Sequence, residues 1–210
     1  MTVDVSATYL LDVETGRLVD AELWDAITDR QLEDWETLWA AATVEGLHRL
    51  VAAGVQRSHW PQSLHWDWKR KAQAFHGVLA KPSFSVMCEG ATQGMMFLDL
   101  SVRAQIPAQL GQHLVYIDFV ESAPWNRPEF LSDIKYRGVG SLLMRAAIEL
   151  SRHEGFSGRI GLHSLPQSEA WYRDRCGMSD LGVDPHKEKL RYFEMTPQQA
   201  DAFVAKGFSK

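Results

Sequence analysis

Apolar residues change their spacing along this chain, and the change falls near Pro82. Residues 7–13 are apolar and β-prone, Glu14-Thr15-Gly16 is a turn signal, and residues 18–24 form a second extended piece. Together they predict a hairpin. Thr28 and Gln31 have the spacing of a capping box and open a long helical pattern. Leu32, Trp35, Leu38, Trp39 and Ala42 follow at three- and four-residue steps, and Leu47, Leu50 and Val51 carry the pattern to Gly54, with room for a break. Trp60-Pro61 interrupts it, and residues 64–75 read as another helix.

Downstream of Pro82 the runs shorten. Residues 83–88 and 95–100 read as strands flanking a loop from Glu89 to Gly94, a hairpin signal. Residues 114–120 are apolar on both faces except for Asp118, as in a buried central strand. Residues 122–134 contain Pro124 and Pro128 and read as a loop. Residues 138–154 predict an amphipathic helix with Val139, Leu142, Leu143, Ala146, Ala147 and Leu150 in one stripe, stopped at Gly155. A strand at 159–163, a short helix at 167–175, a strand at 189–195 and a helix at 197–206 complete the chain. Thr196 is the expected cap of the last helix, with Pro197 in its first position. The order β-β-β-α-β-α-β predicts a mixed α/β layer with helices packed on a sheet.

Composition narrows the class. A chain of 210 residues with 45% hydrophobic content suits one domain, or one domain with an extension. Residues 1–80 are expected to form a strand-and-helix region of that same domain, and residues 81–210 its core. Six of the eight tryptophans lie in the first 70 residues. The formal net charge of -5 argues against nucleic acid as the main partner. Cys88 and Cys176 form no disulfide framework or zinc spacing, and the eight histidines show no helical pair, so no metal is expected. Neither a leader nor a membrane-spanning run is visible, and the reading is a reduced, cytoplasmic protein.

The sharpest local feature is Lys135-Tyr136-Arg137-Gly138-Val139-Gly140-Ser141. It follows a buried strand and opens a helix. Glycine at 138 and 140 permits a tight turn and close backbone approach. The first helical turn leaves N–H groups without intrahelical partners, and with the helix dipole these favour an anion. A diphosphate suits the site, with Lys135 or Arg137 adding charge-assisted contacts. A bare Gly-x-Gly also occurs where a loop simply starts a helix. It is not a dinucleotide fingerprint, which needs glycine at the position of Leu143, and no Gly-Lys-Ser/Thr follows.

Residues 136–143 resemble motif A of the GNAT superfamily of N-acetyltransferases, Gln/Arg-x-x-Gly-x-Gly/Ala. Downstream, Glu154-Gly155-Phe156, the strand ending at His163, and Ala170-Trp171-Tyr172 followed by Gly177-Met178 resemble the rest of that family's order. The resemblance covers about residues 83–195. It departs in Lys135 at the first motif position, in the long stretch 122–134, and in the long tryptophan-rich opening.

The resemblance implies a mainly antiparallel central sheet with helices on both faces, preceded here by a helix-rich extension. It implies acetyl-CoA as acyl donor, held by Val120, Glu121, Ser122, Lys135, Tyr136, Arg137, Gly138, Val139, Gly140 and Ser141. The acceptor would be a primary amine, attacking directly in a ternary complex. Tyr172 is then the general acid for the departing thiolate, and Glu121 or Asp118 the base. The oxyanion donor is a backbone N–H within 120–122. The N-terminal helices form one wall of the acceptor site, with Trp125 and Asn126 opposite. Homodimers are common in the family. His163 reads as a satisfied rim residue or a lining of the acceptor side, and Cys176 as a packed residue. The stretch His65-Trp66-Asp67-Trp68-Lys69-Arg70-Lys71 reads as an amphipathic helix or as a basic, aromatic contact surface. Two other functions remain open: an acyl-CoA sensor that keeps the fold, and an interaction protein working through its N-terminal region.

Overall fold

A computed structural model describes residues 3–131 and 133–207. The chain divides into two compact units. Met1–Met96 with Val120–Leu143 form the first, and Phe97–Phe119 with Met144–Lys210 the second.

The first unit begins with β1 (Val5–Asp12) and β2 (Leu18–Trp24), paired antiparallel from Val5↔Trp24 to Leu11↔Leu18. The predicted hairpin is present, and Gly16 takes the positive φ of 66° that its turn requires. A nearly continuous helix follows. It comprises α1 (Asp29–Asp34), a π-helical turn (Trp35–Trp39) and α2 (Ala40–Ala52). Thr28 and Gln31 form the expected capping box. The wide turn falls earlier than the break the sequence left room for beyond Ala42, and α2 runs through that place without one. Trp39 lies at its end, buried, and donates its indole N–H to the Thr92 carbonyl at 2.9 Å.

Helix α3 (Trp68–Phe75) starts four residues later than the periodicity predicts. The cause is Asp67, whose carboxylate accepts from the Arg70 amide at 2.8 Å and caps the helix there. Trp68 is fully buried, whereas Lys69 is ion-paired with Glu36 and Lys71 lies over the Trp66 ring. The amphipathic reading of this stretch accounts for these contacts.

Strands β3 (Ser83–Cys88) and β4 (Ala91–Asp99) follow. The loop between them is shorter than the sequence implied. Glu89 and Gly90 alone turn the chain, at φ 48° and 77°, the paired positive values of a tight hairpin. Thr92, Gln93 and Gly94 are therefore strand residues. Strand β5 (Val115–Ser122) ends in this unit, followed by two 3₁₀ turns, Pro124–Asn126 and Pro128–Phe130. A two-residue strand, β6 (Tyr136–Arg137), which the sequence did not predict, pairs with Leu11 and Asp12. Strand order within this unit is β6-β1-β2-β3-β4.

Helix α4 (Val139–His153) starts in the first unit and ends in the second. Its predicted stripe is buried except for Leu150, which is half-buried, while Met144, Ile148 and Ser151 extend the buried face. The second unit has strand order β5-β7-β9-β8, with β7 (Ile160–Ser164), β8 (Ser179–Val183) and β9 (Arg191–Met195). Strand β8 went unpredicted because Gly182 and the charged Asp180 mask its alternation. The helix expected at 167–175 is a 3₁₀ turn, Pro166–Ser168, followed by a π-helical turn, Trp171–Arg175. Helix α5 (Pro197–Ala205) has the expected Thr196 cap, which Gln199 completes as a capping box. Pairs β1–β2, β1–β6, β2–β3, β7–β9 and β8–β9 are antiparallel and β5–β7 is parallel. The architecture is mixed α/β with a mainly antiparallel sheet.

Candidate functional site

The glycine-containing segment adopts the conformation its chemistry needs. Gly138 has φ 101°, a value an L side chain rarely adopts, and its carbonyl accepts the Leu142 amide at 2.8 Å. It is thus the N-cap of α4. The amides of Val139, Gly140 and Ser141 are then first-turn donors with no intrahelical acceptor. The dipole of a 15-residue helix adds partial positive charge at the same place. Gly140 and Ser141 are half-exposed, while Tyr136 and Val139 are buried anchors. These residues fit a diphosphate.

Close packing fixes where that turn sits. A Cβ added at Gly94 on β4 would lie 2.6 Å from Val139 Cγ1 and 3.3 Å from the Glu121 carbonyl oxygen. Glycine at this strand position therefore lets the start of α4 approach β4 and the end of β5. In the sequence Gly94 follows two polar residues and precedes an apolar run, a position that reads as the end of a loop.

Two polar devices hold the segment in front of the helix. Gln93 Oε1 accepts from Trp125 Nε1 at 2.8 Å and Asn126 Nδ2 at 2.9 Å, and Asn126 Oδ1 accepts from the Tyr136 amide at 2.9 Å. Trp125 and Asn126, expected to line an acceptor wall, are thus tied down as pins for the loop. In the second device, Glu89 Oε2 accepts from Tyr136 Oη at 2.6 Å and Lys135 Nζ at 3.0 Å. These bonds hold the Glu89 carboxyl below its ordinary range, while burial and Glu89 push the Tyr136 phenol up. Lys135, expected to meet the ligand, is therefore engaged with Glu89, and Arg137 is exposed.

Glu121 is not the solvated loop carboxylate that a strand end usually carries. Its side chain is 11% exposed and accepts three hydrogen bonds. Ser63 Oγ and Arg127 Nη1 reach Oε1 at 2.5 and 2.8 Å, and Trp68 Nε1 reaches Oε2 at 2.7 Å. Arg127 also donates to Ser63 Oγ at 3.1 Å and lies over the Phe130 ring. Arg49 Nε donates to the Phe130 carbonyl at 3.1 Å, and Gly46 leaves room for the Phe130 ring against α2. The N-terminal tryptophan region, the end of β5 and the long loop are one hydrogen-bonded assembly. Sequence reading missed Ser63, Trp68 and Arg127 as partners because they are 58, 53 and 6 residues from Glu121.

Of the other predicted residues, Val120 and Ser122 end β5 in the first unit, and Asp118, His163, Tyr172 and Cys176 lie in the second. Asp118 is half-buried beside Tyr116, whose phenol is pushed up by burial and by the charge of Asp118. Tyr172 lies in the π-helical turn, 6% exposed, with its ring against Trp171 and Phe193. Burial pushes its phenol well above the usual range, so it carries its proton at every physiological pH. The Cys176 thiol is buried and pushed up as well, which removes its thiolate character.

His163 is satisfied at both nitrogens. Nε2 lies 3.1 Å from Asp184 Oδ2 and Nδ1 lies 2.7 Å from Tyr116 Oη. A carboxylate only accepts, so a neutral ring donates from Nε2 and accepts the tyrosine proton at Nδ1. Burial lowers the His163 pKa from 6.5. The unfolded chain therefore binds the proton first, and this contribution to stability is present above about pH 6.5 and declines as pH falls below it. Denaturant midpoints should accordingly drop between about pH 7.5 and pH 5.5 in the native protein, with a flatter dependence in a His163→Gln variant.

Among the described residues, no three His, Cys, Asp or Glu side chains gather as a metal site, and no helix is long and apolar enough to cross a membrane. No family model and no curated protein matches the chain. Solved structures do. The GNAT domain of PAT from S. lividans superposes with a TM-score of 0.57 at 12% identity, covering 91% of this chain and 96% of that one. An uncharacterized protein from Bacillus halodurans gives 0.56 at 11% identity, covering 96% and 95%. An insect protein described as arylalkylamine N-acetyltransferase 7, from the yellow fever mosquito, gives 0.51 at 16% identity, covering 93% and 95%. The glycine-capped helix after a central strand sits within an architecture that these proteins share, and the chain has the fold of the GNAT N-acetyltransferases.

Proposed function

We propose that this protein is an N-acyltransferase that moves an acetyl group from acetyl-CoA to a primary amine by direct attack in a ternary complex. The observation that carries the reading is Gly138 as the N-cap of α4, with three amides presented for the cofactor diphosphate. The similarity to GNAT-fold structures, two of them described as a GNAT domain and an N-acetyltransferase, supports the choice of coenzyme A over other diphosphates.

Strand β5 supplies the second element. Its parallel pairing with β7 covers Val115–Ile117, whereas the strand runs to Ser122. The Ala123 amide donates to the Gln93 carbonyl on β4 at 2.9 Å. The amides of Val120 and Ser122 lie beyond that pairing with β7. They are the candidate donors to the thioester oxygen as it becomes an oxyanion. Attack by the neutral amine forms the new C–N bond, and collapse breaks the C–S bond, releasing a thiolate that needs a proton or a donor.

Tyr172 is proposed for that last role, and its environment defines how it would act. A phenol raised well above a thiol's pKa stabilises the thiolate by hydrogen bonding more readily than by full proton transfer. Asp118 and Glu121 are the two candidate bases. Glu121 would have to give up one of three donors before taking a proton.

Calorimetry with acetyl-CoA followed by thiol release against a panel of amines tests the proposal. Binding with amine-dependent release is expected. Absence of binding at millimolar ligand would sink it, and binding without turnover on any amine would favour an acyl-CoA sensor. Tyr172→Phe should lower kcat by about tenfold to a hundredfold with cofactor affinity unchanged. Full activity in that variant would remove tyrosine from the mechanism.

A further inference from the structure

The first unit holds a cavity of about 210 Å³ beside its β3–β4 turn. Asp20 and Glu22 of β2, Arg30 of α1 and Glu89-Gly90 of the turn line it, together with the buried Met87 of β3. The sheet register brings the carboxylates together. Ala21 pairs with Cys88 and Glu22 with Met87, so Asp20 comes to the end of β3 beside Glu89. Asp20 and Glu22 are two residues apart on β2 and share a face. Like charges set side by side on a sheet repel one another.

The cation in the cavity does not relieve that repulsion. Arg30 Nη2 donates to the Gly90 carbonyl at 3.3 Å, and among the described residues Arg30 makes no ion pair. Its remaining N–H groups are therefore left with donors to spare. Glu22 Oε2 accepts the Trp24 indole N–H at 2.9 Å, a neutral donor. Glu89 Oε2 accepts from Tyr136 and Lys135, which leaves Oε1 open. Among the described residues the Asp20 carboxylate accepts no hydrogen bond. Opposite charges thus face one small cavity without closing on each other, because each of Arg30, Glu22 and Glu89 is held by a different partner.

We infer that this cavity binds a basic α-amino acid, of the lysine, ornithine or arginine type. Its α-carboxylate takes the spare N–H groups of Arg30, and its two cationic groups take Asp20, Glu22 and Oε1 of Glu89. Charge selects the class. Three carboxylates, one of them shared with Lys135, and a single arginine match a ligand with one negative and two positive groups. An amino acid with an apolar side chain leaves carboxylates unmatched, and a diamine leaves Arg30 unmatched. The volume lies below that of pockets for larger ligands and suits a single amino acid, whose alkyl stem meets Met87. Glu89 also anchors Tyr136 and Lys135 ahead of Gly138, so the occupant touches a carboxylate that holds the diphosphate segment. The inference does not depend on the acyl-transfer reading.

Calorimetry of the full chain with L-lysine and L-arginine, with no acyl donor present, tests the site. Saturable binding is expected below millimolar concentration. L-Leucine and cadaverine, each lacking one charged group of lysine, should bind at least about tenfold more weakly. Arg30→Gln should weaken lysine by about tenfold or more and leave cadaverine unchanged, whereas Asp20→Asn should weaken both. Both side chains are exposed, so the variants should keep the native Tm. The Met87 methyl resonance, assigned by its loss in Met87→Leu, should shift as lysine is added. Absence of lysine and arginine binding at millimolar concentration would overturn the inference, as would cadaverine binding as tightly as lysine. Lysine affinity unchanged in both variants, with no shift at Met87, would overturn it too, because the amino acid would then be bound elsewhere, as an acceptor amine at a catalytic site would be.

Discussion

Replacing Arg127 with leucine is expected to destabilise the protein by about 3 kcal/mol, the largest effect of any single polar substitution in the first unit. The side chains of Arg127 and Glu121 are 9% and 11% exposed, so the pair is shielded from solvent and salt. Leucine preserves much of the apolar packing against Phe130 but leaves the Glu121 carboxylate buried with its counter-charge removed. Ser63 and Trp68 still donate to it, which keeps the loss toward the lower end of the range for broken buried pairs. Urea unfolding of the single variants and of Arg127→Leu combined with Glu121→Gln gives the coupling. The double variant should be more stable than the sum of the single losses by at least about 1 kcal/mol. Additive losses would mean that the two side chains stabilise the fold separately.

Replacing Gly138 with valine is expected to eliminate measurable acetyl-CoA binding while leaving the protein folded. A β-branched residue at φ 101° is strained, at a cost of about 1–3 kcal/mol. The chain relieves that strain by turning the peptide ahead of α4, which re-aims the amides of Val139 and Gly140. Redirecting those donors alone weakens binding by about tenfold to a hundredfold, and the added side chain occupies space where a diphosphate must approach. Gly138→Ala should fall between the two proteins. Calorimetry reads the affinity, and circular dichroism with thermal unfolding reads the fold. Native affinity in Gly138→Val would place the cofactor elsewhere.

These substitutions probe two parts of the site that differ in how openly the sequence displayed them. The glycine-capped helix was legible because its determinants are local. Glycine at 138 and 140, an apolar stripe from Val139, and the stop at Gly155 act within a few turns of chain, and the capping boxes at Thr28 and Thr196 are equally short-ranged. Periodicity failed where one polar side chain overrode it. Asp67 moved the start of α3, and the Glu89-Gly90 turn returned Gly94 to a strand.

The sequence by itself determined the mixed α/β class, the hairpin, the glycine-capped start of α4 and the resemblance that named a cofactor. Only the tertiary structure decided what the side chains around that start do. It clamped Glu121 with Ser63, Trp68 and Arg127, paired Lys135 with Glu89, and tied Trp125 and Asn126 to Gln93. The physical reason is range. Helix caps and turns depend on neighbouring residues and leave a local pattern, whereas a buried carboxylate is satisfied by whichever donors the folded chain brings to it.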